Sequence, residues 1–172
     1  LDQDAAPDIA ALDDADFAQI FLAGDGTPPG DWALFTPADW VKTVAATACS
    51  VQVSEAISGL DVESARYEYS INGGSAWLGP FPAVCSDPTS GVLTTTILAA
   101  AVPFGQQSGS LNKIRFFIDD TTGNSGQSPD YTVRIDATAP LNPTALDSFA
   151  HAVNVWSRFR RINVEWSGAS DT

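Results

Sequence analysis

Three oxygen-bearing side chains stand close together where a strand-like run meets a polar turn. Asp119 and Asp120 end the run, and Asn124 follows inside the turn over residues 120–126. Carboxylate and amide oxygens are the ligands that Ca²⁺ prefers, and a tight turn adds backbone carbonyls to them. The pattern therefore makes these three residues candidate calcium ligands. The alternative is an Asx turn, in which the same side chains bond only their own backbone.

Two cysteines, Cys49 and Cys85, are the second set of residues with chemistry of their own. An even number of cysteines in a chain whose composition is typical of extracellular proteins predicts a disulfide between them. The alternative is a pair of inert buried thiols. A zinc site would need more ligands than two cysteines and the single histidine, His151, at unrelated spacings.

Five tryptophans could form an aromatic platform for sugars. Trp32 lies near Gly30 and Asp31 in a predicted early loop and is the one predicted to be exposed, which makes it the candidate ligand-binding residue. Trp40, Trp156 and Trp166 recur at corresponding places in two copies of a repeat. Those three are predicted to pack in sandwich cores or between modules.

No catalytic residue is predicted, and the protein is not expected to be an enzyme. The sequence has no Gly-rich phosphate loop and no Gly-x-Ser-x-Gly serine elbow. A hydrolytic triad would need His151, which falls in the incomplete second copy. Adjacent carboxylates such as Asp119 and Asp120 point apart on a strand, so they are a poor acid and base pair for glycoside hydrolysis.

Charge and hydropathy exclude several classes of partner. The chain carries 21 acidic residues against 8 Lys plus Arg in 172 residues, a formal net charge of −13. Nucleic acids and anionic membrane surfaces need a positive face and are disfavoured. No run approaches the roughly 18 apolar residues that cross a bilayer, so no membrane insertion is expected. A start at Leu1 without a basic leader predicts a mature or internal fragment of a secreted, extracellular protein.

Strand-like runs follow one another from Trp40 onward, separated by turn residues every ten or so positions, which predicts an all-β sandwich or barrel. The segment Asn72-Gly73-Gly74 is the strongest hairpin signal, because Asn and Gly tolerate positive φ. Prolines in residues 79–90 predict an edge strand or a loop there. The other predicted strands cover residues 48–54, 64–71, 92–98, 113–119 and 131–136.

An internal repeat divides the chain. Thr27-Pro28-Pro29 and Thr138-Ala139-Pro140 are similar junctions, and Thr138 lies 111 positions after Thr27. A period of this length fits one sandwich domain per repeat. The sequence therefore predicts a complete domain over residues 27–137. It also predicts a linker with the first strands of an incomplete following module over residues 138–172.

The acidic segment over residues 1–26 allows two interpretations. Residues 17–22 could form the last strand of a preceding module, or a strand exchanged with a neighbour. The lead over residues 1–16 could instead begin a short helix, because Ile9, Leu12 and Phe17 have rough helical spacing.

Three phrases resemble bacterial extracellular immunoglobulin-like and fibronectin-type-III-like repeats. They are Tyr67-Glu68-Tyr69-Ser70-Ile71-Asn72-Gly73-Gly74-Ser75-Ala76-Trp77, Asp119-Asp120-Thr121-Thr122-Gly123-Asn124-Ser125-Gly126 and Ile135-Asp136-Ala137-Thr138-Ala139-Pro140. The resemblance implies an immunoglobulin-like antiparallel β-sandwich with partial modules on either side. In such repeats the first phrase is a central hairpin, the second is the turn before the final strand, and the third is the boundary to the next repeat.

The expected function is that of a structural module in a secreted, repetitive cell-surface or filament-forming protein. Its expected partners are adjacent repeats or neighbouring copies of itself, joined through sandwich domains and through exchanged strands. The alternative is an adhesive or carbohydrate-binding module of a larger secreted protein, with glycans as partners. Glycan binding that is lost in Trp32→Ala would favour the alternative.

Overall fold

The computed structural model describes residues 8–12, 18–21, 24–147, 155–156, 158, 160 and 164–171, and these residues form strands and no helix. The strands are β1 (Asp8–Leu12), β2 (Ala18–Phe21), β3 (Asp31–Thr36), β4 (Thr47–Ser54), β5 (Leu60–Ser70), β6 (Leu78–Pro82), β7 (Val84–Cys85), β8 (Thr94–Val102), β9 (Lys113–Asp120), β10 (Ser125–Gln127), β11 (Tyr131–Thr132), β12 (Ala145–Asp147) and β13 (Glu165–Ser167). The chain divides into a first unit, residues 1–136, and a second unit, residues 137–172.

Two antiparallel sheets pack against each other in the first unit. One has the strand order β3-β4-β8-β7 and the other has the order β10-β9-β5-β6, with β11 also paired to β9. The predicted all-β sandwich architecture is therefore confirmed.

The core of the first unit comes from the period-two alternation of its long strands. On β4 and β9 every second side chain is buried, and β8 follows the same alternation from Thr94 to Ala99. The fully enclosed members include Val51, Val53, Ile97, Phe116 and Ile118, each with 0% exposure. Burying one such side chain contributes about 1.5–3 kcal/mol, so the packed faces hold the two sheets together.

The predicted Asn-Gly-Gly hairpin is confirmed. Strand β5 pairs with β6, with Tyr69 opposite Leu78, and the turn lies between them. Gly73 and Gly74 have φ values of 76° and 93°, a conformation that side chains with a Cβ disfavour. The side-chain carbonyl of Asn72 accepts a hydrogen bond from the Ala76 amide at 2.9 Å, which closes the loop.

The proline-rich segment lies at sheet edges, as predicted. Strand β6 is the last strand of one sheet and β7 the last strand of the other. The chain crosses between the sheets at Ala83, whose amide donates to the Ala65 carbonyl at 3.0 Å. Pro80 and Pro82 lack the amide hydrogens that a central strand needs, so an edge position costs β6 nothing.

The last predicted strand of the domain, residues 131–136, is divided in two. Only β11 pairs with β9; beyond it the chain leaves that sheet. Ile135 then forms a parallel bridge with Val41 and an antiparallel bridge with Ser108. Val133 and Ile135 are buried, as predicted. After two residues the segment therefore leaves the sheet and pairs with Val41 and Ser108 instead. Neither of these residues belongs to a strand of the two packed sheets.

The acidic N-terminal segment contains an antiparallel strand pair, β1 with β2, in a sheet of its own. The helix alternative is therefore wrong for residues 8–12, whose backbone groups pair across strands. Residues 18–21 form a strand, β2, as the first interpretation requires, and their origin in a preceding module or in strand exchange stays a prediction. The rest of the predicted segment, residues 1–7, 13–17 and 22–23, lies outside the described residues.

The second unit contains β12 and β13, which pair antiparallel with Leu146 opposite Trp166. Two backbone hydrogen bonds extend this pairing: Thr144 donates to the Ser167 carbonyl at 3.0 Å, and Leu141 donates to the Ser170 carbonyl at 2.8 Å. His151 lies outside the described residues.

Candidate functional site

The turn that follows β9 is built around one buried carboxylate. Asp120 is 2% exposed. Its Oδ1 accepts hydrogen bonds from the Thr122 amide at 2.8 Å, the Thr122 hydroxyl at 2.8 Å and the Asn124 amide at 2.9 Å. Its Oδ2 accepts one from the Asn124 side-chain Nδ2 at 2.7 Å. Four donors from two residues of the turn therefore converge on Asp120, which is the Asx-turn arrangement.

The same turn holds the segment that leads into β3, which we call the entering segment. The backbone carbonyl of Asp25 accepts hydrogen bonds from Asn124 Nδ2 at 2.8 Å and from the Thr122 hydroxyl at 3.3 Å. The carboxylate of Asp25 in turn accepts the Thr27 amide at 2.8 Å. Asn124 thus connects Asp120 to Asp25. We call the contact of residues 24–30 with residues 120–126 the entry joint.

A glycine allows the closest approach within the entry joint. The backbone carbonyl of Pro29 lies where a Cβ on Gly126 would be. Pro29 is buried and Gly126 is buried beside it. Any side chain at position 126 would therefore push the entering segment away from β10.

The hydrogen bonds of the entry joint lower the pKa values of its two carboxyl groups, Asp120 and Asp25. Burial raises the pKa of Asp120, but the bonds from Asn124 and Thr122, side chain and backbone alike, outweigh it and lower this pKa from 3.8 to about 2. The Thr27 amide lowers the pKa of Asp25. Both groups are thus anions at neutral pH.

Low pH should lower the stability of the wild-type fold, because Asp120 becomes protonated. Its folded-state pKa lies below the unfolded value, so its contribution is complete above about pH 5 and is lost as the pH falls towards 2. After allowance for solvent screening we expect this contribution to be about 1–2 kcal/mol. Urea unfolding at pH 6 and at pH 3 should show wild type losing about half of that amount more than Asp120→Asn, because pH 3 still lies above the folded-state pKa of about 2. Equal losses in the two chains would contradict the assignment.

The predicted calcium ligands are only partly brought together. Asp120 and Asn124 meet, whereas Asp119 points to the opposite face of β9 and pairs with Arg66 at 3.3 Å. The described residues include no group of three or more His, Cys, Asp or Glu side chains arranged to hold a metal. A calcium role for Asp120 and Asn124 stays a prediction, and any such ion would compete with the four donors already on Asp120.

The predicted disulfide is not formed, because Cys49 and Cys85 are both free thiols. Strand order gives the reason. Cys49 on β4 pairs with Ala99, and Cys85 on β7 pairs with Ile97, so β8 runs between the two cysteines. Two interstrand spacings separate their Cα atoms by more than about 9 Å, whereas a disulfide requires less than about 7 Å. The alternative of a buried thiol holds for Cys49, whereas Cys85 is only half-buried.

A reducing agent should therefore leave the melting temperature unchanged. Burial raises the pKa of Cys49 to about 12 and also raises that of Cys85, so both thiols should react slowly with a maleimide in the folded chain. A disulfide would contribute about 2–4 kcal/mol, and its reduction would lower the melting temperature by roughly 10 °C. Calorimetry with and without reductant distinguishes the two cases.

The tryptophans are placed differently from the prediction. Trp32 lies on β3, half-buried and packed against the core, so its ring is not an open platform. The exposed rings are those of Trp40 at 57%, Trp156 at 102% and Trp166 at 66%. A ligand-binding role for Trp32 stays a prediction.

Polar and aromatic side chains that the sequence reasoning missed cover the outer face of β5 and β9. The guanidinium of Arg115 lies 4.1 Å from the Trp77 ring centroid and 2.6 Å from the Glu68 carboxylate. Arg66 pairs with Asp119 beside them. These polar and aromatic side chains occupy every second position along β5 and β9, and that alternation is the signal that could have identified this face. Because both arginines are already paired with carboxylates, we assign the cluster to stability.

Comparisons with known proteins gave no match: no family model, no curated protein and no solved structure matched this chain. Within the part of the chain that the structure describes, no helix is long and apolar enough to cross a membrane.

Proposed function

We propose that the chain is a structural module of an extracellular, repetitive protein whose immunoglobulin-like β-sandwiches follow one another in tandem. It has no catalytic role in this proposal, and its partners are adjacent modules of the same kind. The observation that carries the proposal is a strand pair that occurs twice, once in each unit.

The duplicated pairs are β3 with β4 and β12 with β13. Their matching Cα partners are Asp31↔Ser54, Trp32↔Val53 and Ala33↔Gln52 in the first unit, and Ala145↔Ser167, Leu146↔Trp166 and Asp147↔Glu165 in the second. Each residue of β12 lies 114 positions after its counterpart on β3, and each residue of β13 lies 113 positions after its counterpart on β4. These two offsets lie close to the 111-position period of the junctions Thr27-Pro28-Pro29 and Thr138-Ala139-Pro140, and this agreement supports a repeated module.

The segment before each pair is also repeated. Asp25, Thr27 and Pro29 precede β3, and Asp136, Thr138 and Pro140 precede β12, at a common offset of 111 positions. In the first copy Asp25 and Pro29 belong to the entry joint. The recurrence of the same residue types supports a joint of the same design at the start of each module.

The immunoglobulin-like topology is supported by strand order. Immunoglobulin-type sandwiches have strands A, B, E and D in one sheet and strands C, F and G in the other. If β3, β4, β5, β7, β8, β9 and β10 are taken as A, B, C, D, E, F and G, the observed orders β3-β4-β8-β7 and β10-β9-β5-β6 agree with that scheme. Strand β6 then adds an edge strand beside C.

Backbone hydrogen bonds join the segment after β3 to the segment after β11, which suits a module in a chain under tension. The Val41 amide donates to the Arg134 carbonyl at 2.9 Å, and the Asp136 amide donates to the Val41 carbonyl at 2.9 Å. On its other side Ile135 exchanges two bonds with Ser108, at 2.9 and 3.0 Å. Because the Val41 bridge is parallel, a pull on the two ends would shear its hydrogen bonds together.

Single-molecule pulling on the whole chain tests this proposal. We expect one cooperative event that extends the chain by roughly 35 nm, the length of about 110 unfolded residues. Val41→Pro, which removes one sheared hydrogen bond, should lower the unfolding force. Gly26→Ala, where a Cβ meets nothing within 4 Å, should leave the force unchanged.

Gradual extension without a cooperative event would contradict the proposed mechanical role. A glycan panel tests the rival function on the same protein. We expect no bound glycan. Binding that is lost in Trp32→Ala, or in Trp40→Ala with its exposed ring, would instead establish a carbohydrate-binding module.

A further inference from the structure

Cys49 and Cys85 face the same core from two strands that a third strand separates. Cys49 on β4 lies opposite Ala99 and is 0% exposed, and Cys85 on β7 lies opposite Ile97 and packs against the core. Ala99 and Ile97 are both inward-facing residues of β8. Both thiols therefore lie on the core side of the sheet, with β8 between them.

Strand order gives the distance between the two cysteines. Two interstrand spacings of about 4.8 Å lie between β4 and β7. Ala99 and Ile97 are two residues apart, which adds about 6.7 Å along the strand direction. The Cα atoms of Cys49 and Cys85 are therefore about 12 Å apart, whereas a disulfide requires less than about 7 Å. A bond between them requires β8 to leave its place.

Strand β8 cannot leave its place while the fold persists. It pairs with β4 over the whole length of that strand, and Ile97 and Ala99 belong to the core. On its other side the Ser86 amide donates to the Thr96 carbonyl at 2.9 Å, and the Ser86 hydroxyl accepts the Thr96 amide at 3.1 Å. Because folded domains are only marginally stable, losing this strand from the core removes the native state.

The fold also keeps the two thiols unreactive. A thiolate is the attacking species in disulfide formation. Burial raises the pKa of Cys49 to about 12 and raises that of Cys85, so the thiolate is scarce in the folded chain. Unfolding removes this burial. The cysteines are 36 positions apart in the sequence, and an unfolded chain closes a loop of that length readily.

We propose that Cys49 and Cys85 form a redox-sensitive folding switch. The reduced chain folds, whereas a disulfide formed between the two cysteines while the chain is unfolded prevents refolding until a thiol reduces it. The inference goes beyond the proposed structural role and does not require it, because any unfolding event exposes the two thiols.

The oxidant in this switch is a small-molecule disulfide. One cysteine thiolate attacks it, forms a mixed disulfide and releases the first small thiol. The other cysteine thiolate attacks the mixed disulfide at the cysteine sulfur and releases the second small thiol. The two cysteines are oxidised, the small disulfide is reduced to two thiols, and those thiols take up the two cysteine protons.

The test starts from the full chain unfolded in urea with glutathione disulfide. We expect an intramolecular disulfide, which mass spectrometry recognises by the loss of two hydrogen atoms and chromatography separates from glutathione adducts. After dilution of the urea, this form should recover less than about a tenth of the native tryptophan fluorescence signal that the reduced chain recovers. Addition of dithiothreitol should restore the full signal.

Cys85→Ser is the matched control, because it changes one atom of a half-buried side chain and leaves Cys49 without a partner. Its free-thiol form, taken through the same steps, should refold as well as the reduced wild-type chain. Folded wild type kept with glutathione disulfide in the absence of urea should form the disulfide no faster than it unfolds globally, a rate that the β9 amides report by hydrogen exchange.

Refolding of the disulfide form to a state with native fluorescence and protected β9 amides would overturn the proposal. Formation of the disulfide in folded wild type faster than global unfolding would overturn it as well, because the native sheet would then permit the bond. So would the absence of an intramolecular disulfide in the unfolded chain. The pulling experiment can fail without affecting any of these outcomes.

Discussion

Asp120→Ala is expected to lower the free energy of unfolding by about 3 kcal/mol, whereas Asp119→Ala, one residue away, should lower it by less than about 1 kcal/mol. Asp120 is buried and accepts four hydrogen bonds from Thr122 and Asn124. Its removal leaves two backbone amides and two side-chain donors without their acceptor. Asp119 makes a half-exposed ion pair with Arg66, and such pairs contribute little.

Urea unfolding of the two variants beside wild type measures the difference. The matched pair isolates the position of the carboxylate, since both changes remove one negative charge from neighbouring residues. Similar losses in the two variants would show that the turn does not depend on Asp120. A larger loss for Asp119→Ala would reverse the assignment of buried and exposed carboxylates.

Gly126→Ala is expected to detach the entering segment from the turn and to cost about 2–3 kcal/mol, the usual cost of forcing an added methyl group into a packed site. The new Cβ would overlap the Pro29 carbonyl, which is backbone and cannot rotate aside. Hydrogen exchange over residues 24–36 should rise, while the amides of β5 and β9 should keep their protection relative to global unfolding.

Gly26→Ala is the control for the entry joint. It makes the same chemical change in the entering segment itself, but nothing lies within 4 Å of its Cβ. Its stability should stay within about 0.5 kcal/mol of wild type, as expected for a surface change. Fast hydrogen exchange over residues 24–36 in the wild-type chain would show that the entering segment is not held at the entry joint. Equal stability of the Gly126→Ala and Gly26→Ala variants would show the same.

The long strands could be predicted because their residues alternate. Strands β4 and β9 agree with the predicted runs over residues 48–54 and 113–119, and the hairpin at Asn72-Gly73-Gly74 follows from local turn chemistry. Residues 131–136 alternate equally well, yet only two of them form β11. Their other partners, Val41 and Ser108, are distant in sequence, and no local pattern reveals them.

The candidate sites could likewise be predicted where neighbouring residues determine the geometry, and could not where residues distant in sequence determine it. The alternation along β9 was sufficient to place Asp119 and Asp120 on opposite faces, so a three-ligand calcium site was improbable from the pattern itself. The separation of Cys49 and Cys85 could not be predicted, because it depends on β8 lying between β4 and β7. Asp25 was missed for a related reason: it meets Asn124 across 99 positions of chain.

The account depends most on the claim that the segment after β3 and the segment after β11 are fastened to one core. Native-state hydrogen exchange of the Val41, Ile135 and Asp136 amides tests it most directly. We predict that these amides exchange only through global unfolding, with the same free energy as the amides of β9. Exchange of these three amides at the rate of an exposed loop, while β9 stays protected, would contradict the account.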